Sequence, residues 1–397
     1  MPRVNFDELR QGPVVTASAE DQMRLCFVTT SLDVGGAESA LVGIVEELAA
    51  DGVNVQVIAL RGSGRLVRRL EQGGIPTAIL SIRTASGAIL GLLKAARLAR
   101  RQQPDIVQGW MYHGALFSCL IALTCRARVC WGIRQSLAAL DRETPSTNRL
   151  IRVCARLSRW PVAIVYASHS ARSDHESLGF SASRGAVIPN GVDIDRFRPD
   201  AAARAKWRLR LAAPPLMPVV GIVARMHPIK DHETFLDAAA IVASRYPRAC
   251  FVLAGRGCDE TNDGLMRQIS SARLGGRVRV LGEVDDVPGL MAALDVLCLS
   301  SRSEAFPNVV AEGMACGVPC ASTNVGDVPS ILSGAGEVVP VGDSVALADA
   351  IIRLLAMSSE ERDELGRVAR RRAIDEYSLK ASAERYSALY RACIKQS

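Results

Sequence analysis

Two carboxylates eight residues apart, Glu304 and Glu312, frame the stretch SRSEAFPNVVAEGMACGVPCAS at residues 301–322. Pro307 suits the first position of a helix, and Gly317 with Pro319 marks its stop. A helix over about 307–316 is therefore predicted. The N–H groups of Asn308, Val309 and Val310 would be unpaired at its start and could cradle a phosphate. Glu312 falls more than one turn in, among Val, Ala, Gly, Met and Cys, where a carboxylate needs a partner. The vicinal hydroxyls of a sugar suit it, because one carboxylate accepts from two O–H donors. Glu304 stands ahead of the helix, so the two acids bracket a phosphate site as polyol binders. The plainer alternative is a capping glutamate and a salt-bridged one.

Two further stretches have the same flavour. Arg225-Met226-His227-Pro228-Ile229-Lys230 sets two cations five apart in a short loop entering a helix. Arg225 can grip a diphosphate bidentately and Lys230 can act as a point charge. The alternative is two solvated surface charges, though the chain has only five lysines to place. Gly35-Gly36 precedes a helix beginning near Ala37, which allows backbone N–H groups close to an anion. It is not a G-x-G-x-x-G, and no acidic ribose partner follows the next strand, which argues against a dinucleotide dehydrogenase; the alternative is a bare tight turn.

The elements that must hold these residues are short apolar runs alternating with helical patterns. Seven strand-like runs come first: RLCFVTTS, VNVQVIAL, PTAILSI, DIVQGWM, RVCWGI, VAIVYAS and AVIPN. Six follow: PVVGIVAR, CFVLAG, VRVLGEV, LDVLCLS, PCASTN and EVVPV. Near-continuous apolar strands separated by helices imply parallel sheets covered on both faces. Two series imply two Rossmann-like, doubly wound domains, with ligands at the carboxyl ends of the strands. The expected division is a mobile leader at 1–23, a first domain at 24–190 and a linker at 191–216. A second domain at 217–375 and a helix at 376–397 packing back across the domains complete it. His169 follows a strand and so lines the cleft in this reading, while His175, His227 and His232 read as surface or helix residues.

Bulk properties narrow the class. A chain of 397 residues with 49% apolar content has enough for two cores, yet no run nears the roughly 20 apolar residues that span a bilayer. Eleven scattered cysteines show no zinc spacing and read as small core residues of a reduced cytosolic protein. The first 188 residues hold 22 Lys/Arg against 15 Asp/Glu, so the whole +7 excess lies there. Arg65–Arg69 and Lys94–Arg101 are its local concentrations. They are either solvated helix faces or a face meeting anionic lipid or a phosphorylated acceptor.

Taken together these residues resemble glycosyltransferase family 4, of the GT-B fold, from about Arg24 to Tyr390. The motifs, in the family's order, are GGAE (35–38), WMYHG with His113, VIPNGVDIDRF (187–197), the Arg225/Lys230 pair and the glutamate pair at 304 and 312. ACGVPC and GDVPSIL also look like the family. The resemblance implies two Rossmann-like domains facing a cleft, with a nucleotide-diphosphate sugar held mainly by the second. It implies that Arg225 and Lys230 hold the diphosphate, Glu304 the donor sugar and Glu312 the ribose. Phe306, Pro307, Asn308 and Val309 would complete the donor site, with the Gly35-Gly36 turn. His113 and the Gly35-Gly36 loop would serve the reacting carbon and the acceptor. Arg134, in GIRQS, is a weaker acceptor candidate. Ala305 departs from the family, where glycine is common, and adds a methyl near the donor sugar.

The resemblance also implies retention of anomeric configuration. No carboxylate nucleophile is evident after a first-domain strand except Glu38, so a same-face displacement is the simpler expectation. Asp193-Ile194-Asp195 lies in the interdomain segment, where Asp193 is expected to accept backbone hydrogen bonds. No metal and no cofactor is expected. The leading expectation is a retaining, metal-independent transferase that moves a sugar to a glycan or lipid-linked acceptor in polysaccharide or lipopolysaccharide assembly. Its basic first domain would rest on the anionic inner face of a membrane, and no nucleic acid is expected as partner. The alternatives are a soluble transferase for a small acceptor and a GT-B protein that binds nucleotide sugar without transfer.

Overall fold

The computed structural model describes residues 22–33, 35–62, 64–82, 85–137, 140 and 144–395. Residues 1–21, most of the expected leader, lie outside the described residues. The chain forms two compact units, 1–191 with 379–397 and 192–378.

The first unit alternates strand and helix throughout. It begins with β1 (Arg24–Thr29), α1 (Gly36–Ala50), β2 (Asn54–Ala59), α2 (Arg65–Gln72), β3 (Thr77–Ile79) and α3 (Ala85–Gln102). Then come β4 (Ile106–Trp110), α4 (Met111–Cys125), β5 (Arg128–Ile133) and α5 (Pro145–Leu157). β6 (Ala163–Tyr166), α6 (His169–Ser177) and β7 (Gly185–Val187) close the series. Six of the seven strands fall inside the runs read from the sequence, and β7 starts one residue before its run, at Gly185. They pair in parallel in the order β3-β2-β1-β4-β5-β6-β7. The order reverses between β1 and β4, which makes that point the natural ligand crevice of the sheet.

In the second unit, α7 (Ala201–Arg210) precedes β8 (Val219–Val223), α8 (His232–Arg245), β9 (Cys250–Ala254) and α9 (Asp263–Ser271). β10 (Val278–Val280), α10 (Val287–Ala293), β11 (Val296–Leu299), α11 (Asn308–Ala315) and β12 (Cys320–Thr323) follow. The unit ends with α12 (Val328–Leu332), β13 (Gly336–Val339), α13 (Ser344–Ala356) and α14 (Ser359–Tyr377). Its six parallel strands run β10-β9-β8-β11-β12-β13, reversing between β8 and β11. The structure counts residues 192–216, read from the sequence as linker, with this unit. α7 is pinned there because Arg204 and Arg208 both pair with Asp295 at the foot of β11.

Both faces of the first sheet are covered, as its unbroken apolar strands require. One layer packs α1, α2 and the final helix α15 (Leu379–Lys395) on the sheet; the other packs α3, α4 and α5. α15 is held by its buried Tyr386 and Tyr390, whose hydroxyl donates to Gln108 Oε1 at 2.9 Å. Gly43 of α1 makes room for Leu379, whose Cδ2 would lie 2.5 Å from an added Cβ. Ten of the eleven cysteines are buried free thiols and Cys125 is half-buried. No helix among the described residues is long and apolar enough to cross a membrane.

Candidate active site

In the second unit the two loops at the sheet's reversal are the Arg225–Lys230 loop after β8 and the SRSEAFP segment after β11. Hydrogen bonds lock them together. Ser300 Oγ donates to Lys230 O at 2.9 Å, and the Arg302 amide donates to Ile229 O at 2.7 Å. Arg302 also pairs with Asp231 at 2.9 Å. Asp231 is buried in a left-handed conformation (φ 50°) as the cap of α8, accepting from Thr234 Oγ1 at 2.7 Å. The clasp delivers Lys230 Nζ to Glu304 Oε1 at 2.5 Å, and Ser301 Oγ donates to the same oxygen at 2.7 Å.

Close backbone contacts fix the loops from behind. Gly255, just past β9, has φ 142°, and an added Cβ would stand 2.2 Å from Ala224 O and 2.8 Å from the Arg225 nitrogen. The Met226 amide donates to Arg256 O at 2.8 Å. Arg225 itself is exposed and makes no ion pair among the described residues. Gly326 (φ 53°) lies under the other loop, 2.6 Å from Glu304 O and 2.7 Å from Ala305 O measured to an added Cβ.

The helix start differs in detail from the sequence reading. Pro307 is the extended residue ahead of the helix (ψ 95°), and α11 begins at Asn308. Of the three amides expected to be free, that of Val310 donates to Pro307 O at 3.0 Å. Phe306 is buried, its ring 5.6 Å from that of Tyr377, so its side chain belongs to the packing of the unit and faces α14. Glu312 lies on α11 with no ion-pair partner among the described residues. Burial pushes its carboxyl up to about 7, with Arg196 pulling weakly the other way.

In the first unit the loops at the reversal point hold the other candidates. Trp110 Nε1 donates to Ala37 O at 2.9 Å, tying the end of β4 to the Gly35-Gly36 turn. Gly35 is extended (φ −161°), and Gly36 opens α1. Met111 turns the chain through a left-handed conformation (φ 62°), which presents His113 on the exposed first turn of α4. Partial desolvation, and secondarily Arg61, hold the His113 imidazole below its usual range. Gly114 packs on β1, leaving 2.3 Å between an added Cβ and Val28 O.

Arg134 sits elsewhere. Its guanidinium is buried 4.5 Å from the Trp110 ring centroid and donates to Ile188 O at 2.8 Å. Its Nε and Nη2 have neither a partner nor accessible surface, and burial pulls it down to about 9. The acceptor role read from the sequence thus finds no accessible nitrogen to use. His169 is exposed at the first position of α6. His175 and His232 are buried helix residues, and His175 Nδ1 donates to Ala171 O while Nε2 accepts from Tyr112 Oη at 2.8 Å.

Residues 34–196 match the model for Glycosyltransferase Family 4, and residues 217–357 that for Glycosyl transferases group 1. The chain belongs to glycosyltransferase family 4. The chain is 28% identical over 358 residues to the lipopolysaccharide core biosynthesis glycosyltransferase LpsE of Rhizobium meliloti, covering 89% of this chain and 94% of LpsE. It is 31% identical over 267 residues to the D-inositol 3-phosphate glycosyltransferase of Corynebacterium jeikeium, covering 64% of this chain and 62% of that protein. The chain thus spans less than two thirds of that relative. HepE of Anabaena, solved with UDP and glucose, superposes with a TM-score of 0.81 at 22% identity over 94% of this chain and all of HepE. The fold is GT-B.

Several residues of this glycosyltransferase escaped the sequence reading: Ser300, Ser301, Asp231, Gly255 and Gly326. Gly255 carried a signal, the Gly-x-Gly directly after a strand. The serines carried none, because their value lies in which loop faces them.

Proposed function

We propose that this glycosyltransferase moves a sugar, with retention and without a metal, from a nucleotide-diphosphate sugar to a glycan or lipid-linked acceptor of cell-surface polysaccharide or lipopolysaccharide. The observation that carries the reading is the clasp of Lys230 and Glu304 at the β8/β11 reversal. A cation for the leaving diphosphate and a carboxylate for sugar hydroxyls stand at one point of one sheet. The near-complete match to LpsE supports a glycan acceptor, and the UDP and glucose bound to HepE make UDP-glucose the first donor to try.

In this reading Arg225 and Lys230 neutralise the diphosphate, Glu304 accepts from the donor sugar and Glu312 from the ribose. The Gly35-Gly36 turn and His113 are assigned to the acceptor. The bond from the anomeric carbon to the β-phosphate oxygen breaks as the acceptor oxygen bonds to the same face. The acceptor's proton passes to the departing phosphate oxygen. The cations stabilise the charge that grows there. Localisation on the inner membrane face belongs to the same proposal. The D-inositol 3-phosphate relative favours a second reading, a small phosphorylated acceptor.

The test is turnover in EDTA with UDP-, GDP-, ADP- and dTDP-sugars, preceded by a thermal-shift panel of those donors, since a ligand of the folded state raises its melting temperature. Arg225→Ala and Lys230→Ala should each lower turnover about a hundredfold, about 3 kcal/mol of transition-state stabilisation. Near-normal turnover in both variants, or loss of activity in EDTA with rescue by magnesium, refutes the assignment.

A further inference from the structure

Three consecutive helices of the first unit, α3, α4 and α5, contain no aspartate or glutamate. They form one layer on one face of the sheet, α3 against α4 and α4 against α5. Their outer surface is apolar as well as basic. Ile89, Leu90 and Leu93 of α3 are 65%, 70% and 59% exposed, and Leu123 of α4 is 65% exposed with Leu120 beside it at 43%. Cations flank this patch: Lys94, Arg97 and Arg101 on α3, and Arg149, Arg152 and Arg156 on α5, all exposed. On α3 the positions 89/90, 93/94, 97 and 100/101 recur at helical spacing, so the aliphatic and cationic residues share one stripe.

α3 and α4 each follow a strand of the same parallel sheet, so both run the same way. Leu93 is eight residues into α3 and Leu120 nine into α4, so the two leucines lie at one level, about 12–14 Å along neighbouring helices. Contiguous exposed aliphatics rimmed by like charge are rare on a surface that meets only water.

We propose that this face docks on an anionic lipid bilayer, the leucines entering the headgroup boundary and the arginines meeting lipid phosphates. The chemistry selects that occupant. A second copy of the chain would set cation against cation, whereas an anionic bilayer offers charge and hydrocarbon together. The proposal deepens the lipid-linked acceptor reading and rests on it for its purpose: α4, which carries His113 on its first turn, carries Leu120 about 10 Å further along.

The test is co-sedimentation of the full chain with phosphatidylcholine vesicles containing about 30 mol% phosphatidylglycerol, against pure phosphatidylcholine. Binding is expected only to the anionic vesicles, weakened in about 0.5 M salt. Leu90→Ser with Leu93→Ser, and separately Arg97→Glu with Arg101→Glu, should each lower it about tenfold, with unchanged thermal melts. Absent binding, equal binding to neutral vesicles, or full binding by both variants overturns the proposal. So does a dimer in sedimentation velocity that the leucine variant splits, which assigns the face to a second copy. Donor-induced stabilisation, measured without vesicles, should be the same in the variants and the natural chain. Failure of docking and failure of the transferase reading are thereby told apart.

Discussion

The Glu312 carboxylate makes a prediction that separates stability from function. Burial lifts it from an ordinary 4.5 to about 7 against the opposing pull of Arg196. A folded-state pKa above the unfolded one means the folded protein holds the proton more tightly. Stability from this group is therefore complete below about 4.5, declines as pH rises, and is lost above about 7. At about 1.4 kcal/mol per pH interval, the ionised carboxylate costs the ligand-free protein about 3 kcal/mol at pH 8. Glu312→Gln keeps the shape and removes the charge. It should raise stability by about 3 kcal/mol at pH 8, falling to about 1 kcal/mol at pH 5.5. For the second unit that is a rise of roughly 6–12 °C at pH 8. The assay is thermal unfolding of both proteins across pH 5–8, each with and without the stabilising nucleotide sugar. Donor stabilisation should fall in the variant, because an amide cannot accept two strong hydrogen bonds from a diol as a carboxylate does. A Gln variant no more stable at pH 8, or a gap that does not narrow toward pH 5.5, refutes the reasoning.

Two further substitutions probe the scaffold. Gly326→Ala puts a methyl 2.6 Å from Glu304 O at φ 53°. It should cost roughly 1–3 kcal/mol in chemical denaturation and weaken donor binding with it. Tyr390→Phe leaves Gln108 Oε1 buried without its 2.9 Å donor. It should lower the unfolding free energy by about 1–2 kcal/mol while donor-induced stabilisation stays as in the natural chain.

All thirteen strands were legible because buried parallel strands must be apolar on both faces, and Val, Ile, Leu and Cys runs announce that locally. The tail reads from the sequence as one helix over 376–397, and the structure has α14 ending at Tyr377 and α15 spanning Leu379–Lys395. The boundary between units was less legible. Residues 192–216 carry the turn and proline signals of a linker, yet Arg204 and Arg208 bind an aspartate some ninety residues away. Phe306 and Arg134 show the same limit. A phenylalanine beside a phosphate-like helix start and an arginine ending a strand look functional until the structure supplies Tyr377 and Trp110 to cover them.

By itself the sequence determined which residues could do chemistry and that they stood just past a strand or, for Glu312, in the helix that follows one, since strand ends and helix starts are written in neighbouring residues. It could not determine strand order, because pairing is set by contacts between segments far apart in the chain. The tertiary structure alone placed β8 beside β11 and β1 beside β4. That adjacency turned scattered loops into two sites, set Lys230 2.5 Å from Glu304, and gave Ser300, Ser301, Gly255 and Gly326 their work.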